Sequence, residues 1–254
     1  MPLKKIEKDN LVYTSFDELK TLTCREVIDK KMTDFVLDER TKAIDRRCFK
    51  RQNINSIAIP KNLAMILDFA FFEANIVELL VPENVYLRYS VFEYSIINNI
   101  FLNTNEVPKN AFANATIKNI KLKNTKKLAS HSFRSAEITK ITLPDTLEII
   151  DEKAFERVTF KDETLTLPSS LKEIKSDAFA GTNLKRIVLP KNLEYLSSSF
   201  INSKNTVIVC DEETVERFPF LKAMKTEIIS IDYFLKQHMS FKEINKAYKK
   251  LQER

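Results

Sequence analysis

Two histidines, three cysteines and one glycine are the scarce residues of this 254-residue chain, and their scarcity removes most kinds of chemistry. His131 and His238 stand far apart, without His or Cys neighbours at metal-ligand spacing and without the parts of a Ser-His-Asp arrangement. The single glycine, Gly181, cannot build a phosphate-cradling loop of the G-x-x-x-x-G-K or G-x-G-x-x-G kind. Cys24, Cys48 and Cys210 form no C-x-x-C and are odd in number, so free thiols in a reducing compartment are expected. Asp145 and Glu148 must lie close, but on a polar return that reads as solvated surface rather than as a general acid and base. No catalytic residue, metal or cofactor is therefore expected, and the chemistry that remains is binding: apolar anchors and basic side chains, if some element presents them together.

The elements can be read from a repeat. ITLPDTLEIIDEKAF at residues 141–155 is followed by LTLPSSLKEIKSDAF at 165–179, and the terminal Phe recurs as Phe49, Phe71, Phe92, Phe112, Phe133, Phe155, Phe179 and Phe200, every 20 to 24 residues. A period of this size signals a solenoid. A small or compact residue precedes each Phe, and Cys48 fills that slot as a packed apolar side chain. Five residues after each Phe stands an apolar residue, failing only at Asn205. It opens an apolar-x-x-apolar-x-apolar pattern such as Ile76/Leu79/Val81 or Ile117/Ile120/Leu122. The last two members alternate with period two, so both face inward from a short strand while the residue between them faces out. Pro often follows the strand, where its missing N–H is not needed.

This pattern resembles the BspA-type leucine-rich repeat, in which I-x-(I/L)-P, a central L-x-x-I and an A-F precede the next strand. LTLPSSLKEIKSDAFAGTNLKRIVLP, residues 165–190, matches it almost position for position, and the resemblance covers roughly 32–209. It departs at the returns 85–92 and 193–200, each one residue short, and at 161–164, which lengthen a turn. The resemblance implies a leucine-rich repeat solenoid: a curved parallel β-sheet with irregular or short helical returns. It also implies a non-catalytic role in recognition or adhesion, often at cell surfaces.

Around the array, residues 1–31 are expected to form an N-terminal cap helix, because Ser15-Phe16-Asp17-Glu18 is a capping box followed by apolar residues at roughly helical spacing to Lys30. The array itself, 32–210, should stack about nine parallel strands. Residues 211–254 should form a C-terminal cap, helical over 212–224 and β-rich over 226–231. Its second capping box, Ser240-Phe241-Lys242-Glu243, would open a terminal helix that packs on the cap or docks a partner. Hydrophobic residues make up 44% of the chain, ample for a core, and the formal charge of +6 is modest for its length. No run of eighteen apolar residues occurs, so membrane insertion is not expected. The first ten residues carry Lys without a following apolar run, so a cytoplasmic location is expected, with the cell surface implied by the resemblance only.

Register identifies the outward-facing side chains. One row reads Val36, Ala58, Leu80, Phe101, Lys121, Thr142, Thr166, Val188 and Ile208, and the row before it includes Glu78, Asn99, Asn119, Lys140 and Arg186. Leu80 and Phe101 should be cross-strand neighbours and form a small apolar anchor on the concave face. Lys121, Lys123, Lys140, Lys185 and Arg186, with Lys118, give that face basic character. The expected activity is a protein-binding scaffold using Leu80 and Phe101 with these basic residues. Two alternatives are an acidic polymer, such as nucleic acid or a sulfated glycan, on the basic residues, and a structural subunit docking through the terminal helix. Nucleic acid is disfavoured because no aromatic side chains interleave those lysines.

Overall fold

The computed structural model describes residues 4–15, 21–203, 205–224 and 227–231, and through the array the chain winds as a parallel β-solenoid. The longest strands lie near the middle, at Asn75–Val81, Ile96–Asn103, Thr116–Lys123 and Glu137–Thr142. Their pairing is in register: Ile76, Ile97, Ile117 and Ile138 stand side by side, as do Leu79, Ile100, Ile120 and Ile141. Period-two alternation sends the second row inward together with Val81, Leu102 and Leu122, and the first row, three residues earlier, is buried as well. The expected strands recur from Asp34–Val36 to Val207–Cys210, and a further one, Ile228–Ser230, adds in parallel beyond them.

The returns carry a second parallel ladder, which the sequence reading treats as connecting chain. It is built of two-residue strands such as Lys127–Leu128, Ile149–Ile150, Glu173–Ile174 and Tyr195–Leu196. The second residue of each is buried, as is the leucine three residues before it at Leu147, Leu171 and Leu193, so the central Leu-x-x-Ile of the repeat contributes both its apolar side chains to the core. Two residues are too few for periodicity to reveal.

Between the walls runs the phenylalanine spine. All eight repeat phenylalanines are fully buried. From Phe49 to Phe179 successive rings stack with centroids 5.0–5.3 Å apart and planes within 6–17° of parallel. At the N-terminal end the stack stops, and Phe35 meets Phe49 edge-on at 76°.

The spine depends on an unusual backbone. Residues two before and two after each Phe from Phe49 to Phe179 take positive φ, as in Phe69 and Glu73, Asn110 and Asn114, His131 and Ser135, Lys153 and Arg157, Asp177 and Gly181. The left-handed conformation costs an L-residue roughly 1–2 kcal/mol, and here only Gly181 avoids that cost. The compensation is hydrogen bonding between coils. The Phe N–H donates to the carbonyl before the next Phe, as from Phe112 to Ser132 and Phe133 to Ala154, both at 2.8 Å. The left-handed residue that follows donates likewise, as from Ser135 to Glu156 at 2.8 Å.

At the N-terminus the expected helix is replaced by β-structure. Lys4–Lys8 and Leu11–Ser15 form an antiparallel hairpin, and Leu22–Val27, inside the expected helical segment, is a strand antiparallel to Leu11–Ser15 and parallel to Thr41–Ile44. Asp9 and Asn10 both take positive φ at the hairpin turn, the geometry that matches strand twist in a two-residue connection. Pairing with an existing sheet edge outweighs the local capping signal at Ser15; residues 16–20 of that signal lie outside the described residues. This cap closes on Asp38, whose side chain is 5% exposed, with Arg40 at 2.9 Å and Lys8 at 2.9 Å. The Arg40 contact, helped by Lys8, holds the Asp38 carboxyl well below the usual carboxylate range.

Among the described residues, the opposite end has two short helices, Glu212–Arg217 and Phe220–Ala223, within the segment expected to be helical. Asp211 caps the first by accepting from the Thr214 N–H at 2.8 Å, and Pro219 separates the two. The expected terminal helix from Ser240 lies outside the described residues.

Candidate functional site

Residues 161–164 decide what the broad sheet can present. The strand of that coil is split into Thr159–Phe160, which pairs back to Glu137–Thr142, and Thr164–Thr166, which pairs forward to Arg186–Val188. In place of a forward strand partner, the Asn183 side chain bridges Phe160: its Oδ1 accepts from the Phe160 N–H and its Nδ2 donates to the Phe160 carbonyl, both at 2.8 Å. The basic residues therefore fall on two sheets. Lys121, Lys123 and Lys140 belong to the first, Lys185 and Arg186 to the region of the second. Lys185 is engaged in an ion pair with Glu163.

On the first sheet, Leu80, Phe101 and Lys121 are successive cross-strand neighbours, followed by Thr142. Leu80, next to the last residue of its strand, is 58% exposed. The Lys121 ammonium lies 5.9 Å from the Phe101 ring centroid, within range of a cation–π attraction. The adjacent row runs from acid to base, Glu78, Asn99, Asn119 and Lys140, over about 14 Å at ordinary strand spacing. Asn119 donates to Asn99 Oδ1 at 2.9 Å and so locks the middle of that row. Together these side chains line a shallow depression of about 390 Å³. Lys123 lies at the far end of its strand beside Asn103.

The outward row is not open throughout. Val188 is 9% exposed and Ile208 is fully buried, which corrects their assignment as outward-facing residues. Strand alternation determines the side of the sheet but not whether another part of the chain covers it.

The residues considered for catalysis do not assemble. His131 Nδ1 contacts the hydroxyl of its sequence neighbour Ser130 at 2.7 Å, and burial lowers the His131 pKa. Glu148 is paired with Lys172 at 3.2 Å, and His238 lies outside the described residues. Among the described residues no group of three or more His, Cys, Asp or Glu is placed to hold a metal ion. Nor is any helix among them long and apolar enough to cross a membrane.

A family model described as the BspA type leucine rich repeat region matches residues 28–135 and 126–239 in six copies. No curated protein matches the chain in sequence. Among solved structures, a leucine rich cell surface protein from Faecalibacterium prausnitzii is similar at 12% identity and a TM-score of 0.42, over 80% of this chain and 74% of that one. The pneumococcal vaccine antigen PcpA is similar at 15% identity and a TM-score of 0.31, over 89% and 98%. A leucine-rich repeat protein from Bacteroides ovatus is similar at 14% identity and 0.29, over 89% and 99%.

Proposed function

Because the chain belongs to the BspA-type leucine-rich repeat family, a family of non-catalytic recognition scaffolds, we propose that it binds a protein partner on the open face of its first sheet. Leu80 and Phe101 are the apolar anchors, and Lys121 and Lys140 form the cationic side that orients an acidic group of the partner. The observation that carries this reading is the exposure of Leu80 beside Phe101 toward the C-terminal ends of two of the longest strands. An exposed Leu80 beside a half-buried Phe101 leaves apolar surface in water, and such residues dominate interface energetics when a partner covers them.

The test is capture of partners from the source cell by the intact protein and by Phe101→Ser, with melting temperatures measured on both. The reading expects loss of the captured protein at an unchanged melting temperature. Retention of the same partners by Phe101→Ser removes the depression from consideration. The acidic-polymer alternative predicts retention of a polyanion that falls steeply with salt. Division of the basic residues between two sheets, with Lys185 already paired, weighs against it. The expected cytoplasmic location is tested by fractionation, where recovery at the cell surface would replace it.

A further inference from the structure

Cys24 and Cys48 are both free and buried, yet their sulfurs stand 3.2 Å apart. They come from different parts of the architecture. Cys24 lies on the Leu22–Val27 strand of the cap, beside Ile44, and Cys48 occupies the slot before the first spine phenylalanine. Two backbone hydrogen bonds through one residue fix their approach. The Asp45 N–H donates to the Cys24 carbonyl at 2.7 Å, and the Cys48 N–H donates to the Asp45 carbonyl at 3.2 Å. Closing the sulfur gap to the roughly 2.05 Å of a disulfide requires about 1 Å of side-chain movement.

We propose that Cys24 and Cys48 are a disulfide-forming pair that covalently fastens the N-terminal cap to the first coil whenever the chain folds in an oxidising medium. The chemistry is exchange with a small disulfide such as oxidised glutathione. One protein thiolate attacks it, forming a mixed disulfide and releasing one small thiol. The second protein thiolate then displaces the other small thiol. Two protein S–H bonds and one small S–S bond are exchanged for one protein S–S bond and two small S–H bonds, and two electrons pass to the oxidant. Burial raises the Cys48 thiol pKa, so exchange in the closed fold is slow and the bond forms as the cap docks. In a reducing medium the pair remains two packed thiols. Cys210, buried at the other end of the array, has no part in it.

The experiment uses the full chain, reduced and unfolded, then refolded either in excess dithiothreitol or in mixed oxidised and reduced glutathione. Each sample is unfolded, alkylated and digested with trypsin without reduction. In the glutathione arm the expected product is peptide 21–25 linked to peptide 48–50, two hydrogens lighter than the separate peptides, with Cys210 alkylated. The melting temperature in that arm should exceed the other by roughly 5 °C or more. Three alkylated cysteines in both arms, or linkage through Cys210, overturns the proposal. A chain carrying Cys24→Ala and Cys48→Ala should melt alike in the two arms, and a persisting difference would show that the fastening lies elsewhere. If that variant fails to fold, the peptide map of the native sequence decides alone.

Discussion

The two sides of a single coil obey different rules. On the spine side, Phe112, Phe133 and Phe155 are interchangeable in identity, burial and stacking. On the open face, the equivalent positions one coil apart hold Leu80, Phe101, Lys121 and Thr142. The backbone repeats alike on both sides, so the difference comes from what each side chain meets. An inward residue meets the copy of itself in the next coil and must match it in shape; an outward residue is open to water on one side and need not match its neighbour. Repetition thus marks what holds the molecule together, and variation marks where it can be specific.

That contrast can be broken most directly at the spine. Phe155→Ala should cost about 3 to 5 kcal/mol, because a void opens inside a continuous stack, and a thermal melt would measure it. An unchanged melt would reject the stack as the source of stability. Next in size is the ionic closure at the spine's N-terminal end, where Asp38→Asn should cost on the order of 2 kcal/mol at neutral pH. The pH dependence has a definite sign. Because the folded pKa of Asp38 is depressed, its contribution is fully present above the ordinary carboxylate value near 4 and is lost as pH falls toward the folded value. Acid unfolding of native and Asp38→Asn chains should therefore converge at low pH and separate above about pH 4.

Smaller effects test the turns that flank the spine. Gly181→Ala should destabilise by about 1 kcal/mol, since φ is +69° there and the added Cβ would sit 3.2 Å from Arg157 Cγ. Ser135→Gly, at the corresponding position two coils earlier, should be neutral or stabilise by up to about 1 kcal/mol. The smallest stability change belongs to the open face: Phe101→Ser should alter folding by no more than about 0.5 kcal/mol while weakening partner binding tenfold or more. A large loss of stability from Phe101→Ser would place that ring among the structural residues and erase the contrast.

How much of this was legible follows from the same distinction. The spine and the inward Ile and Leu positions could be read because packing against a copy imposes one residue type at one spacing. The adjacency of Leu80 and Phe101 followed from that register. The separation of Lys185 and Arg186 from Lys121 did not, because the insertion at 161–164 was visible only as extra length and not as a split in the sheet. The hairpin before the array had a signal in Asp9-Asn10 between Lys-rich and apolar runs, but the capping box at Ser15 competed with it. The left-handed turns were hidden by composition, since Arg, Phe, Lys and Ser occupy positions where glycine would announce them. The cover over Val188 and Ile208 is a tertiary matter that alternation cannot express.

The amide of Asn183 has a consequence beyond its two bonds to Phe160. The phenylalanine stack passes this point without interruption, from Phe155 to Phe179 at 5.3 Å, while the strand ladder beside it does not. The body is therefore continuous where the platform is divided. Two neighbouring stretches of outer surface can diverge in charge and shape by separate substitutions, and neither has to renegotiate the framework that both share.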